Sequence, residues 1–340
     1  MKVAMFYGPG DVRLEEKDIP EIKDTEVLVR IRAALTCGTD LKTYRRGHTL
    51  LPPPSPFGHE YAGDVVAVGE KVETVAEGMR VVAANSAPCG HCFYCKRGKE
   101  SLCENLFFVW GAFAEYIVVP ERIVKKNLLI VPDHVLYEEA ALTEPLACVI
   151  HGVEESNICM GDTVVINGAG PIGLFFTALV KQKGARVIQT DLVDERLSVA
   201  ESLGADHTIN AQEGEEATIQ KVKALTEGRG ADIAIEAVGY PKIWETTIKM
   251  TRKGGTATLF GGCEKNTTIT VDTSLLHYNE ITMKGVFHHT PHYIRTALNL
   301  ISWGALNTNI FITERMPLTR IDEALQIVLA QKGVKIALIP

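Results

Sequence analysis

Four cysteines, Cys89, Cys92, Cys95 and Cys103, fall within a fifteen-residue loop at the spacing C-x2-C-x2-C-x7-C. Four thiolates complete a tetrahedral zinc shell and leave no position open, which is the chemistry of a structural site. A redox pair is the competing reading. It normally offers a single C-x-x-C beside a βαβ pattern, not four cysteines in a loop with Gly and Lys. The remaining four cysteines are dispersed at positions 37, 148, 159 and 263. Cys37 opens Cys37-Gly38-Thr39-Asp40, and His59-Glu60 lies in Gly58-His59-Glu60-Tyr61-Ala62-Gly63. Taken singly, a cysteine reads as a small buried hydrophobe and a His-Glu pair as a satisfied polar contact. Together, Cys37, His59 and Glu60 offer a thiolate, an imidazole and a carboxylate with a fourth position open, as a catalytic zinc requires.

A second kind of chemistry is written in Gly168-Ala169-Gly170-Pro171-Ile172-Gly173, which fits G-x-G-x-x-G. The hexapeptide alone is weak evidence. Here it follows a predicted strand, opens a predicted helix, and is trailed by Asp191 eighteen positions past the last glycine. Gly168 permits the tight turn, Gly170 lets backbone approach a pyrophosphate, and Gly173 lets helix pack on strand, with the phosphates at the helix N-terminus. Asp191 can accept from the adenosine ribose hydroxyls and would repel a 2'-phosphate, so NAD is expected rather than NADP. Arg196 is read either as stacking over the adenine or as an ordinary helix-surface arginine.

The elements that must position these residues come in two rhythms. Up to about residue 145 the chain is rich in short β-type runs, at 26–32, 62–68 and 114–119, separated by Gly, Pro and polar turns. That half is expected to be a mostly antiparallel barrel, with 52–56 as an extended proline loop. From about 162 the order becomes strand, turn, helix, strand. Five strands are predicted, at 163–167, 186–190, 232–236, 256–260 and 281–285, with helices near 174–183 and 194–203, which suggests a doubly wound parallel sheet. Helical patterns follow at 293–301 and 321–329.

Composition bounds what such a chain does. At 340 residues it exceeds the reach of one hydrophobic core, so two domains are expected. Hydrophobic residues at 46% and charged residues at 23% fit a soluble globular protein. A net charge of -7 argues against a nucleic-acid partner, and no apolar run approaches a bilayer span. The segment from Met1 reaches Gly8-Pro9-Gly10 too soon for a signal peptide, so a cytoplasmic location is expected, where clustered thiols stay reduced.

Cys37-Gly38-Thr39-Asp40, Gly58 to Gly63, the four-cysteine loop, Gly111-Ala112-Phe113-Ala114-Glu115-Tyr116, Thr143-Glu144-Pro145-Leu146-Ala147 and Gly168 to Gly173 occur in an order that resembles one family over nearly the whole chain. It is similar to the zinc-dependent medium-chain dehydrogenases, in the branch of sorbitol, other polyol and threonine dehydrogenases. The resemblance implies an α/β architecture: a GroES-like, mostly-β catalytic domain at 1–148, a Rossmann NAD-binding domain at 149–290, and a segment, 291–340, returning to the catalytic domain. It implies one catalytic and one structural zinc, with Cys37, His59 and Glu60 matching the catalytic ligands. Glu144 matches a glutamate that either binds the metal or hydrogen-bonds its water; Cys148, one turn on, is a rival ligand for which burial is favoured. Ile172, Asp191, Arg196, Gly261 and Val286 match nicotinamide-dinucleotide contacts, beside Gly168, Gly170, Pro171 and Gly173.

Thr39 matches the residue that takes the substrate proton, while Lys42 stands where many relatives place a histidine to finish the relay. Sorbitol dehydrogenases typically carry Arg-Tyr after Gly-Val-Phe, and this chain has His288-His289 there. These histidines and His292 are open to three readings, as pocket donors, a third metal site or surface residues, with surface or pocket edge favoured. The expected activity is NAD-dependent oxidation of a secondary alcohol on a small polar, polyol-type substrate, in a homodimer or homotetramer. L-Threonine 3-dehydrogenase is the second reading, and a non-catalytic, zinc-stabilised NAD-binding regulator the third.

Overall fold

Val27–Leu35 alternates buried Val27, Val29 and Ile31 with exposed Arg30 and Arg32, then becomes wholly buried through Ala33, Ala34 and Leu35. A half-buried strand that turns fully buried needs neighbours on both edges. The computed structural model, which describes residues 1–340, supplies them. Glu60–Val68 pairs antiparallel with it, as do Tyr116–Val119 and Lys335–Ile339. The full sheet runs Leu128–Ile130, Arg80–Ala83, Glu60–Val68, Val27–Leu35, Lys335–Ile339 and Ile312–Pro317, with Tyr116–Val119 also on Val27–Leu35. Register matters more than the count. Leu35 opposes both Glu60 and Ala337, so Cys37, His59 and Lys335 come to one end of the sheet. Phe57 anchors the core behind that end, with ring centroids 5.7 Å from Phe6 and 5.6 Å from Phe113, all three fully buried.

This sheet belongs to a unit built from residues 1–147 and 289–340, while residues 148–288 form a second compact unit. In the second unit six parallel strands are ordered His207–Asn210, Arg186–Asp191, Thr163–Asn167, Ala231–Glu236, Thr251–Leu259 and Thr282–Gly285. Chain order reverses direction at Thr163–Asn167, where crossovers leave to opposite sides; ligands bind outside the carboxyl ends of strands at such a point. Helices Pro171–Gln182, Asp194–Ser202, Glu215–Leu225 and Pro241–Met250 connect the strands.

The sixth strand, His207–Asn210, was not among the five expected. Only Ile209 of its four residues is an apolar core residue, and no periodicity marks so short a run. Pro52–Pro56 departs slightly from a plain loop, because Ser55–Pro56 pairs with Lys2–Gly8. No helix is long and apolar enough to cross a membrane.

Candidate metal centres and dinucleotide site

Helix Gly38–Arg46 starts directly behind Cys37, whose backbone is extended. Asp40, in the first turn, accepts from the Cys37 N–H through Oδ2 at 3.0 Å, and its Oδ1 lies 3.0 Å from His59 Nδ1. Both carboxylate and imidazole are buried. One aspartate thus fixes the peptide of Cys37 and the ring of His59, leaving His59 Nε2 as the nitrogen available to a metal. Burial opposes a charged His59, but the Asp40 carboxylate and the Cys37 thiol outweigh it and raise its pKa well above the ordinary value. Burial, with Glu60 nearby, pushes the Cys37 thiol up. The ligand atoms of Cys37, His59 and Glu60 all lie within 4.8 Å of one another. Sulfur, nitrogen and oxygen converging in a desolvated pocket suit a divalent ion of zinc's tastes.

The four-cysteine loop forms a second cluster. Cys89 and Cys95 sulfurs stand 4.0 Å apart and those of Cys92 and Cys103 3.9 Å, against about 3.8 Å for thiolates sharing one tetrahedral zinc. Backbone amides already point at the sulfurs: Cys89 N and Asn105 N donate to Cys103 Sγ at 3.2 and 3.4 Å, and Cys92 N to Cys89 Sγ at 3.4 Å. The Cys95 and Glu104 amides bring the Cys92 thiol down to about 6. No disulfide forms among these residues.

In the second unit, Gly168 has φ +101°, and a Cβ there would come within 2.6 Å of Val238 Cγ2. A Cβ on Gly173 would strike Gly168 O at 1.7 Å, whereas one on Gly170 would meet nothing within 4 Å. Close packing below and open space above are what a pyrophosphate-binding turn needs, and Pro171 opens the helix behind it. Asp191 ends its strand and accepts from the amides of Ala169 at 2.6 Å, Leu192 at 2.8 Å and Val193 at 3.0 Å. Arg196 Nε is buried without a partner, an orphaned donor suited to a ligand that arrives from outside.

Two model families match the chain: the alcohol dehydrogenase GroES-like domain over residues 23–133, and the zinc-binding dehydrogenase over 171–303. A sorbitol dehydrogenase of Bacillus subtilis is 32% identical over 335 residues, spanning 96% of this chain and 93% of that protein. An L-threonine 3-dehydrogenase of Pyrococcus furiosus is 35% identical, spanning 99% and 96%. Among solved structures, an Escherichia coli alcohol dehydrogenase complexed with NADH superposes with a TM-score of 0.89 at 28% identity, covering 100% and 99% of the two chains. The chain belongs to the zinc-dependent medium-chain dehydrogenases.

Other residues singled out in this dehydrogenase fall unevenly. Thr39, second in helix Gly38–Arg46, is half-buried two positions past Cys37. Glu144, in the first turn of Thr143–Glu155, is buried but does not join the three-donor group; its Oε1 is 3.6 Å from His289 Nε2. Cys148 is half-buried rather than buried, and it joins neither donor cluster. His292 is exposed as expected, but His289 is not at the surface: it is 2% exposed, with Nε2 also 3.4 Å from Ser86 Oγ and 3.5 Å from Asn85 Oδ1. A tolerable burial of imidazole needs such polar company. Ile172 and Val286 are half-buried, and Gly261 follows the strand Thr251–Leu259.

One residue escaped the sequence reading. Lys335, 1% exposed, donates to Glu60 Oε1 at 2.8 Å, Glu60 Oε2 at 2.6 Å and Thr36 O at 3.0 Å. Burial works against the ammonium, yet Glu60 and then Cys37 hold its pKa above the ordinary value. Nothing local marks it, since Glu60 lies 275 positions away. Asp40 was within reach, standing inside the quoted Cys37 motif three residues on.

Proposed function

We propose that this dehydrogenase oxidises a secondary hydroxyl of a small polyol-type substrate with NAD as hydride acceptor. Cys37, His59 and Glu60 hold the catalytic zinc, and Cys89, Cys92, Cys95 and Cys103 hold a structural one. The observation that carries this reading is the mixed thiol, imidazole and carboxylate group within 4.8 Å, with no fourth protein donor in it. Zinc there supplies Lewis acidity, bringing the pKa of an alcohol oxygen towards neutrality. Asp40 keeps the His59 ring in one orientation, and Lys335 keeps Glu60 from drifting. Thr39 Oγ would accept the proton of the substrate hydroxyl as it passes its own on towards solvent, acting as a relay rather than as the proton's resting place. The buried Glu144 and His289 pair offers acceptors and donors to further hydroxyls, which favours a polar substrate over a long apolar alcohol.

The 168–173 turn carries the pyrophosphate, with Ile172, Gly261 and Val286 lining the cofactor's path and Arg196 supplying a donor at the adenosine end. Asp191 favours NAD, because its carboxylate would repel a 2'-phosphate. A domain division near 148 and 290, a reducing cytoplasmic setting for the eight free cysteines, and homo-oligomers belong to the same reading. Exposed Met160, Tyr278 and Trp303, at 86%, 77% and 73%, are apolar area that a second copy would cover.

The test is a zinc-loaded assay of NADH formation from polyols and from L-threonine. Turnover of polyols is expected; turnover of threonine alone would move the assignment to the second reading, which the Pyrococcus relative supports. No turnover of any secondary alcohol, with one zinc per chain, would leave only a binding protein. Cys37→Ala is expected to cut kcat/KM about a thousandfold while NAD binding stays within about twofold. Asp191→Ala should erode the preference for NAD over NADP, measured as the ratio of kcat/KM values.

A further inference from the structure

Glu236 is the last residue of the strand Ala231–Glu236 and is fully buried. Its side chain reaches forward to two loops at once. Oε1 accepts from the amides of Val238 at 2.8 Å and Gly239 at 2.6 Å, while Oε2 accepts from Gly261 N at 3.1 Å. The Gly261 amide also reaches the Glu236 carbonyl at 3.1 Å, and Gly261 O accepts from Trp244 Nε1 at 3.0 Å. Gly261 is therefore gripped at both its N–H and its carbonyl. No side chain fits there: a Cβ would come within 2.4 Å of Gly239 N and 2.6 Å of Glu236 Oε2.

The place of this clamp in the sheet gives it a ligand. Thr163–Asn167 is the switch point, and Asp191 marks the half of the crevice over the strands Arg186–Asp191 and His207–Asn210. A dinucleotide laid across a switch point puts its second mononucleotide over the other half. That half is formed by the carboxyl ends of Ala231–Glu236, Thr251–Leu259 and Thr282–Gly285, whose first two loops Glu236 ties together.

We propose that Glu236 is a positioning residue for the nicotinamide half of the cofactor, holding loops 237–239 and 260–262 as its floor without touching the ring. The assignment rests on the reading that this unit binds a nicotinamide dinucleotide. Glu236→Gln tests it with little change of shape, because whichever oxygen becomes the amide group then faces an N–H donor. Dissociation constants of NADH and of ADP-ribose, which lacks only the nicotinamide, are measured on the full zinc-loaded chain by calorimetry. The expected result is a rise of about tenfold for NADH, the scale of one lost charge-assisted hydrogen bond, with ADP-ribose changed less than about twofold.

Equal weakening of both ligands would overturn the proposal in favour of a general structural role, and so would no change in either. Should Glu236→Gln fail to fold, Trp244→Phe removes the grip on the Gly261 carbonyl and must show the same split, with a smaller rise; a rise shared by ADP-ribose, or none, overturns it. A wild-type chain that binds neither ligand would instead sink the dinucleotide reading beneath it.

Discussion

At the scale of single residues, the candidate metal centre is organised by two charges outside its three-donor group, Asp40 and Lys335. Lys335 and a bound divalent cation would compensate the same buried anion, Glu60, from different sides. Removing the ammonium strands that carboxylate only when the metal is also gone, and an uncompensated buried charge costs about 3–5 kcal/mol. Lys335→Met should therefore destabilise the zinc-stripped chain by about 3 kcal/mol in denaturant melts and the zinc-loaded chain by less than half of that. Equal losses in the two states would show that ammonium and cation do not share the task. How far such residues can be read in advance depends on distance along the chain. Cys37, His59 and Glu60 stand within 24 positions of each other and carry a recognisable mixture of donors. Lys335 announces nothing, because its meaning comes only from the pairing of Ala337 with Leu35. His289 misled for a related reason: three histidines among 288–292 look solvated, and only the polar atoms of Asn85, Ser86 and Glu144 make the burial of one affordable.

At the scale of elements, the four-cysteine loop has almost no core of its own. Between Cys89 and Phe108 only Ser101 and Cys103 are buried, and the ordered pieces are two short 3-10 turns and the two-residue pairing of Ser86–Ala87 with Phe107–Phe108. Such a segment would depend on a metal held by its four cysteines for order. Stripping the structural zinc, or Cys103→Ser, should open tryptic cleavage at Lys96, Arg97 and Lys99 while the zinc-loaded wild type resists; equal resistance after verified removal would contradict this. The parallel sheet was the more legible element set. Thr163–Asn167 is found at the bounds its apolar run suggested, and helix Asp194–Ser202 ends one residue short of 203. His207–Asn210 was missed because two polar side chains flank a single buried isoleucine, and Ile312–Pro317 because exposed Glu314 and Arg315 interrupt it.

At the scale of the whole molecule, the chain carries the Cys37, His59 and Glu60 group and the four-cysteine cluster in the unit that holds residues 1–147, and the dinucleotide turn in the other. Chelation should then act on one unit. Hydrogen exchange after metal removal is expected to speed up around residues 37–40, 58–62 and 89–103, and to leave the strands Thr163–Asn167 and Arg186–Asp191 as protected as before. A uniform loss of protection would mean that the metals stabilise the chain globally. The placement of Lys335–Ile339 between Val27–Leu35 and Ile312–Pro317 has a consequence for biosynthesis. While the polypeptide is still on the ribosome, the middle of the first sheet waits for a strand translated some three hundred residues after its neighbour, and Glu60 waits with it for its cation. Seating of Glu60 is therefore a late event in synthesis, and a messenger truncated just before codon 335 would yield a chain that keeps Cys37, His59 and Glu60 but lacks the ammonium that holds Glu60 in place.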